Sequence, residues 1–134
     1  MKNEDLILGQ ISLAPLKRIE RLMISSLENL DSDQDKAGAI QFFELAYELA
    51  WKTLRKVLIQ QGYSELASSP RAVFRQAAQA GLIDDPELWF DFIEKRNETV
   101  HSYDEEVAND VINSIPDFLN EYKKLIVKLE SLKQ

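Results

Sequence analysis

Cysteine is absent from the 134 residues, and histidine occurs once. The first absence excludes disulfides, thiolate metal sites and cysteine nucleophiles, and the second excludes a multi-histidine zinc site within one chain. Glycine and proline are scarce at four each, which suits a compact globular chain and not a disordered or fibrous one. Long apolar runs are missing too, since nothing approaches the roughly 18 consecutive apolar residues that cross a bilayer. The opening Met1-Lys2-Asn3-Glu4-Asp5 lacks the basic start and apolar run of a secretory signal, so a cytoplasmic protein with no membrane contact is expected. Positive charge is also in short supply. Sixteen Lys and Arg against 23 Asp and Glu leave a net charge of −7, which argues against holding nucleic acid by bulk electrostatics. The deficit is uneven. Between Leu49 and Ile83 stand Lys52, Arg55, Lys56, Arg71 and Arg75 against Glu65 alone, a local +4 that leaves −11 for the remainder. Either a basic face or ordinary solvated helix positions account for it.

What is present is helical punctuation. The length predicts one domain spanning residues 1–134 around one core. A first helix is expected from about Glu4 to Leu30, with Leu13, Leu16, Ile19, Leu22, Met23 and Leu27 at helical spacing and Pro15 marking an early start or kink. Asp31 to Asp35 break it and supply caps for a second helix from about Lys36 to Gln61, closed at Gly62. That helix is apolar over most of its circumference, with a narrow polar stripe of Glu44, Glu48, Lys52 and Arg55, the pattern of an element central to a bundle or shared between a core and an interface. Ser69-Pro70 and Asp85-Pro86 each read as a cap followed by proline at the first helical position. They open a third helix that ends at Gly81 and a fourth with Leu88, Trp89, Phe92 and Ile93 as its apolar face. A fifth begins near Asp104 and is expected to be interrupted at Pro116. With no alternating strand pattern seen, the fold class is all-α, a bundle of four or five helices.

The chemistry-bearing residues gather in Arg96-Asn97-Glu98-Thr99-Val100-His101-Ser102-Tyr103. The apolar stripe of the fourth helix continues through Arg96 to Val100 and Tyr103, so the guanidinium is expected to point inward and to need an acid, a phosphate or a wet groove. His101 lies five residues on, about 140° around an ideal helix, so a bend is required before Arg96, His101 and Tyr103 can share a cleft. An imidazole that titrates near neutrality, a two-pronged guanidinium and a phenol together suit a phosphodiester or a nucleotide. The plainer alternative is a histidine capping a helix end beside an arginine paired with a neighbouring acid.

Arg96-x4-His101-x-Tyr103 resembles the R-x4-H-x-Y motif of HEPN-domain proteins, specifically the HepT-like group that includes nucleotidyltransferase substrate-binding proteins. Phe43-Glu44-Leu45-Ala46-Tyr47-Glu48-Leu49-Ala50-Trp51-Lys52 and Ser69-Pro70-Arg71 resemble other blocks of that group, and the likeness spans roughly Ala39 to Ala108. It implies a bundle that forms a homodimer through its motif helices, placing two copies of Arg96 and His101 in one cleft. A separately encoded minimal nucleotidyltransferase is the implied partner. In active relatives the arginine and histidine carry metal-independent RNA cleavage, which would make His101 the acid/base and Arg96 the phosphate binder. The motif tyrosine, here Tyr103, is the implied acceptor of AMP. Other members of the group are described only as binding substrate for the transferase.

The likeness also lends the stripe of Glu44, Glu48 and Lys52, with Trp51 and Asn97, the role of a nucleotide or partner groove. Without it the stripe reads as a solvated ladder with one Glu48–Lys52 pair contributing about 0.3 kcal/mol. Trp51 and Trp89 are expected in the core or a dimer interface, or stacked on a base. Glu98-x-x-His101 also has the spacing found in di-iron bundles, but one chain supplies a single copy. Asp84-Asp85 and Asp104-Glu105-Glu106 fit acidic helix starts, so no metal and no cofactor is expected.

Overall fold

The computed structural model describes residues 4–63 and 69–133; Glu65, counted above in the basic stretch, lies outside them. The elements run β1 (Leu6–Ile7), β2 (Ile11–Ser12), α1 (Ala14–Ser26), α2 (Asp33–Gln60), α3 (Pro70–Gln79), α4 (Pro86–Glu98), a single 3-10 turn (Thr99–His101) and α5 (Glu105–Glu130). The expected all-α bundle of five helices is what forms, with one addition at its start.

That addition corrects the reading of one helix from Glu4 to Leu30. Residues 6–12 form a small antiparallel hairpin, Leu6 opposite Ser12 and Ile7 opposite Ile11. Gly9 at φ +86° and Leu8 at φ +50° make the reversal, a conformation that glycine adopts freely and a β-substituted residue adopts at a cost. Ile7, Ile11 and Leu13 all turn inward and are buried. A period of two thus displaces the period of 3.6 over these few residues, and α1 starts only at Ala14, with Pro15 in its first turn.

α2 enters through a capping box in which the Ser32 hydroxyl accepts from the Asp35 N–H and the Asp35 carboxylate accepts from the Ser32 N–H. It leaves through Gly62 at φ +100°, where the Tyr63 N–H reaches back to the Leu58 carbonyl at 3.0 Å. Between these ends it buries residues on several sides, from Ala39 and Phe43 to Leu54 and Leu58, and packs against each of the other four helices. The expected central position follows from this.

α5 closes the bundle. It passes Pro116 without a break, which corrects the expected interruption. A mid-helix proline loses one hydrogen bond and clashes with the preceding turn, about 3 kcal/mol relative to alanine. Ile112, Ile115 and Phe118, buried on both sides of it, outweigh that cost. Pro116→Ala, at an exposed position, should therefore raise unfolding stability by about 2 kcal/mol once the looser unfolded chain is allowed for, read as a higher urea midpoint. Further along, the buried Tyr122 hydroxyl donates to the Leu16 carbonyl at 2.9 Å and ties α5 to α1. Burial pushes that phenol well above its ordinary pKa, so it stays a neutral donor.

An aromatic cluster fills the centre. Phe118 meets Phe43 at 4.9 Å, Phe92 at 5.1 Å, Tyr122 at 5.6 Å and Trp89 at 5.8 Å between centroids, while Trp89 stacks on Phe74 at 4.9 Å. The cluster fixes α4 against α2, α3 and α5. The segment that follows α4 is thereby held in place.

Candidate functional site

α4 begins at Asp85, whose carboxylate accepts from the Glu87 N–H at 3.0 Å, and stops at Glu98. Over Thr99–His101 the backbone tightens into the 3-10 turn, with the Ser102 N–H on the Thr99 carbonyl and the Asp104 N–H on the His101 carbonyl. The Asp104 carboxylate then caps α5 by accepting from Glu106 and Val107. Lys95 clamps the bend from below, its ammonium 2.5 Å from Asp110 on α5 and 3.3 Å from Glu98. Asp110 first, and Glu98 after it, raise the Lys95 pKa above the ordinary lysine value against partial desolvation. The bend that the motif required is therefore present.

It sorts the motif residues into two groups. Arg96 turns toward α2, where Nη1 lies 3.4 Å from Glu44 Oε2 and donates to the Thr99 hydroxyl at 2.9 Å. That hydroxyl, on a side chain nearly sealed from solvent, has its own proton to give to Glu44 at 2.8 Å or to the Arg96 carbonyl at 2.7 Å. The Arg96 Nε is buried and finds no hydrogen-bond partner among the described residues. Beneath the group lies the Tyr47 phenol, pushed up to about 12 by burial and then by Glu48, with Arg96 and Arg71 pulling the other way.

His101 and Tyr103 form the second group. Their rings meet edge-on at 5.9 Å, and His101 Nδ1 is 3.2 Å from the Tyr103 hydroxyl. Both side chains are exposed, Tyr103 to 85%, and both line a hollow of about 440 Å³ whose rim carries Glu98, Asp104, Glu106 and Asp110. Arg96 does not line it. Within one chain, then, the guanidinium and the imidazole–phenol pair serve different faces of the same turn.

The other sequence candidates are dispersed along α2. Trp51 Nε1 donates to Glu48 at 3.2 Å, and Lys52 pairs with the same carboxylate at 3.5 Å, while Glu44 belongs to the Arg96 group. Asn97 is exposed on α4. Trp89 is core. Glu98 and His101 share the hollow, but among the described residues no group of three or more His, Asp or Glu is placed to hold a metal. Also among the described residues, no helix is long and apolar enough to cross a membrane.

Val100 and Tyr103, expected on the inward stripe, are 66% and 85% exposed, and Thr99 takes the inward place instead. Thr99 stands seven residues after Phe92, the spacing of one helix face, and was passed over because its side chain is polar. Thr99→Val keeps the volume and strands Arg96 and Glu44 without their shared hydroxyl. We expect a loss of about 1–3 kcal/mol in a denaturant titration, restored by Thr99→Ser.

The chain has recognisable relatives. The family model "Nucleotidyltransferase substrate binding protein like" matches residues 12–131. A protein of Haemophilus influenzae named "Probable ribonuclease HepT" is 38% identical over 101 residues, covering 73% of this chain and 69% of that protein. Two solved structures share the fold. One, also from Haemophilus influenzae and described as revealing the fold of a substrate binding domain of a nucleotidyltransferase, has a TM-score of 0.79 and 31% identity, covering 88% of this chain and 98% of its own. The other, a crystal structure from Thermus thermophilus, has a TM-score of 0.76 and 26% identity, covering 85% and 98%.

Proposed function

The chain belongs to the nucleotidyltransferase substrate-binding-protein-like family and is HepT-like, and on that premise we propose that it is the binding subunit for a separately encoded minimal nucleotidyltransferase, in a two-component arrangement of the toxin–antitoxin kind. The observation that carries this reading is the Tyr103 phenol, exposed to 85% with its oxygen 3.2 Å from His101 Nδ1. Such a phenol is accessible to another protein's active site and has a base beside it. With Nδ1 unprotonated, the imidazole takes the phenolic proton as the oxygen bonds to the α-phosphorus of ATP; the bond to the β-phosphate oxygen breaks, and pyrophosphate leaves. The stripe of Glu44, Glu48, Trp51 and Lys52, with Asn97, serves as the groove for nucleotide or partner. Two copies pair through the motif helices, with exposed Val100 in the contact and the Tyr103 phenol left open. The test is the intact mass of the full chain after incubation with a minimal nucleotidyltransferase and ATP. AMP units added to the chain support the reading, and an unchanged mass in the presence of an active transferase overturns it.

A second reading, a metal-independent endoribonuclease, is favoured by the exposure of His101 on an open hollow and by the name of the Haemophilus relative. In it His101 moves the proton and Arg96, in a cleft shared by two copies, neutralises the phosphate. The 2′-oxygen of RNA bonds to phosphorus, and the 5′-oxygen leaves with a proton. AMP on Tyr103 would then occupy the hollow beside His101 and silence it. Neither reading requires a cofactor in this chain.

A further inference from the structure

Two of the five cations in the basic stretch, Arg71 and Arg75, meet at the junction of α3 and α4, while Lys52, Arg55 and Lys56 stand on α2. Arg71 lies over the Phe90 ring at 4.4 Å from guanidinium carbon to centroid, and Arg75, one helical turn later, lies over the same ring at 5.7 Å. Both arginines are exposed and the ring is half-buried. Two like charges gathered on one ring repel each other, and on a chain with 23 acidic residues, carboxylates to separate them were available. Among the described residues the one carboxylate paired with either arginine is Glu94, 3.8 Å from Arg71 and itself 67% exposed. Arg75 has no carboxylate within ion-pair distance among the described residues. Lys52, by contrast, is held by Glu48, and Lys95 by Glu98 and Asp110.

A guanidinium lying on a ring is held flat, with its outer face free to stack on a base and its N–H edge free to meet a phosphate. Unpaired bases offer such faces, and bases sealed inside a duplex do not. The feature stands on the same helix as the motif arginine: Phe90 and Arg96 are both on α4.

The geometry points to Arg71, Arg75 and Phe90 as a binding surface for single-stranded RNA, outside the His101 hollow. This rests on the ribonuclease reading above. On a chain of net charge −7, such a surface would act through these two arginines and not through bulk charge.

The test is the anisotropy of a labelled single-stranded oligoribonucleotide titrated with the full chain across a salt series, for wild type, Arg71→Gln/Arg75→Gln and Phe90→Leu. Each phosphate neutralised on a single strand contributes about 0.7 to the slope of log K against log salt, so the double variant should lose about 1.4. Phe90→Leu should weaken binding while leaving the slope intact, because it removes the platform and not the charge. An unchanged affinity and slope in a double variant that still melts cooperatively would overturn the surface and leave the arginines as a clamp between α3 and α4. So would failure of the wild-type chain to bind the oligonucleotide. Cleavage of a dinucleotide, too short to reach the surface, separates the two ideas. Dinucleotide cleavage together with arginine-independent oligonucleotide binding removes the surface and keeps the nuclease. Arginine-dependent binding with no cleavage of any RNA removes the nuclease and keeps the surface.

Discussion

Phenylalanine at position 103 should abolish AMP incorporation while leaving the melting temperature unchanged. The substitution removes one oxygen, the proposed nucleophile, so transfer has nothing to form a bond with. The ring is exposed to 85%, so little buried area depends on it, and surface changes of this kind stay within about 0.5 kcal/mol. His101→Gln separates the base from the acceptor: the amide fills a similar place but does not take up the proton. It should slow proton transfer by about 10²–10⁴-fold, the usual contribution of a positioned acid or base, in tyrosine modification and in RNA cleavage alike. Under the ribonuclease reading, phenylalanine at 103 also makes cleavage insensitive to the transferase. Mass spectrometry of Tyr103→Phe and His101→Gln beside wild type checks the pair, and AMP persisting on the phenylalanine variant would place the acceptor elsewhere.

Phe118→Ala should be the most damaging single change in the core. The ring touches four others: Phe43 on α2, Trp89 and Phe92 on α4, and Tyr122 one turn further along α5 itself. Truncating a buried phenylalanine costs about 3–5 kcal/mol through lost transfer energy and a cavity, and the edge-on partners add about 0.5–1.5 kcal/mol each. Against a domain stability of about 5–15 kcal/mol, the variant should be largely unfolded at moderate temperature. Circular dichroism and near-ultraviolet spectra report it. Phe118→Leu, which keeps much of the volume, should retain a cooperative transition at lower temperature. A Phe118→Ala chain that melts like wild type would show that the neighbouring rings collapse into the gap.

The two predictions draw on information that was not equally legible. Helix starts were written plainly in Ser69-Pro70, Asp85-Pro86 and Asp104, and to within a few residues in the stretch from Asp31 to Asp35, because capping is local: a side chain meets a backbone N–H two or three residues away. The hairpin was missed because three inward residues, Ile7, Ile11 and Leu13, are too few for a period of two to stand out beside the long helical run that follows. Pro116 misled because a local cost was weighed without the burial on either side of it. At the site, His101 and Tyr103 lie two residues apart, so once the bend was required their meeting was within reach of the sequence. The partner of Arg96 was not. Glu44 lies on another helix, and its carboxylate reaches Arg96 and Thr99 only through the packing of α2 on α4. Both the Glu44 stripe and the Arg96 motif were visible separately; that they close on one another is a tertiary fact.

The four carboxylates around the His101 hollow have a consequence for ionic strength. Dissolved ions shield an incoming phosphate from that rim, so added salt eases its approach to the imidazole, whereas the same ions weaken the hold of exposed guanidinia on a polyanion. Under the ribonuclease reading and the proposed arginine surface, turnover on a long strand should peak at an intermediate salinity instead of declining steadily, and a dinucleotide too short for that surface should be processed faster as salt rises.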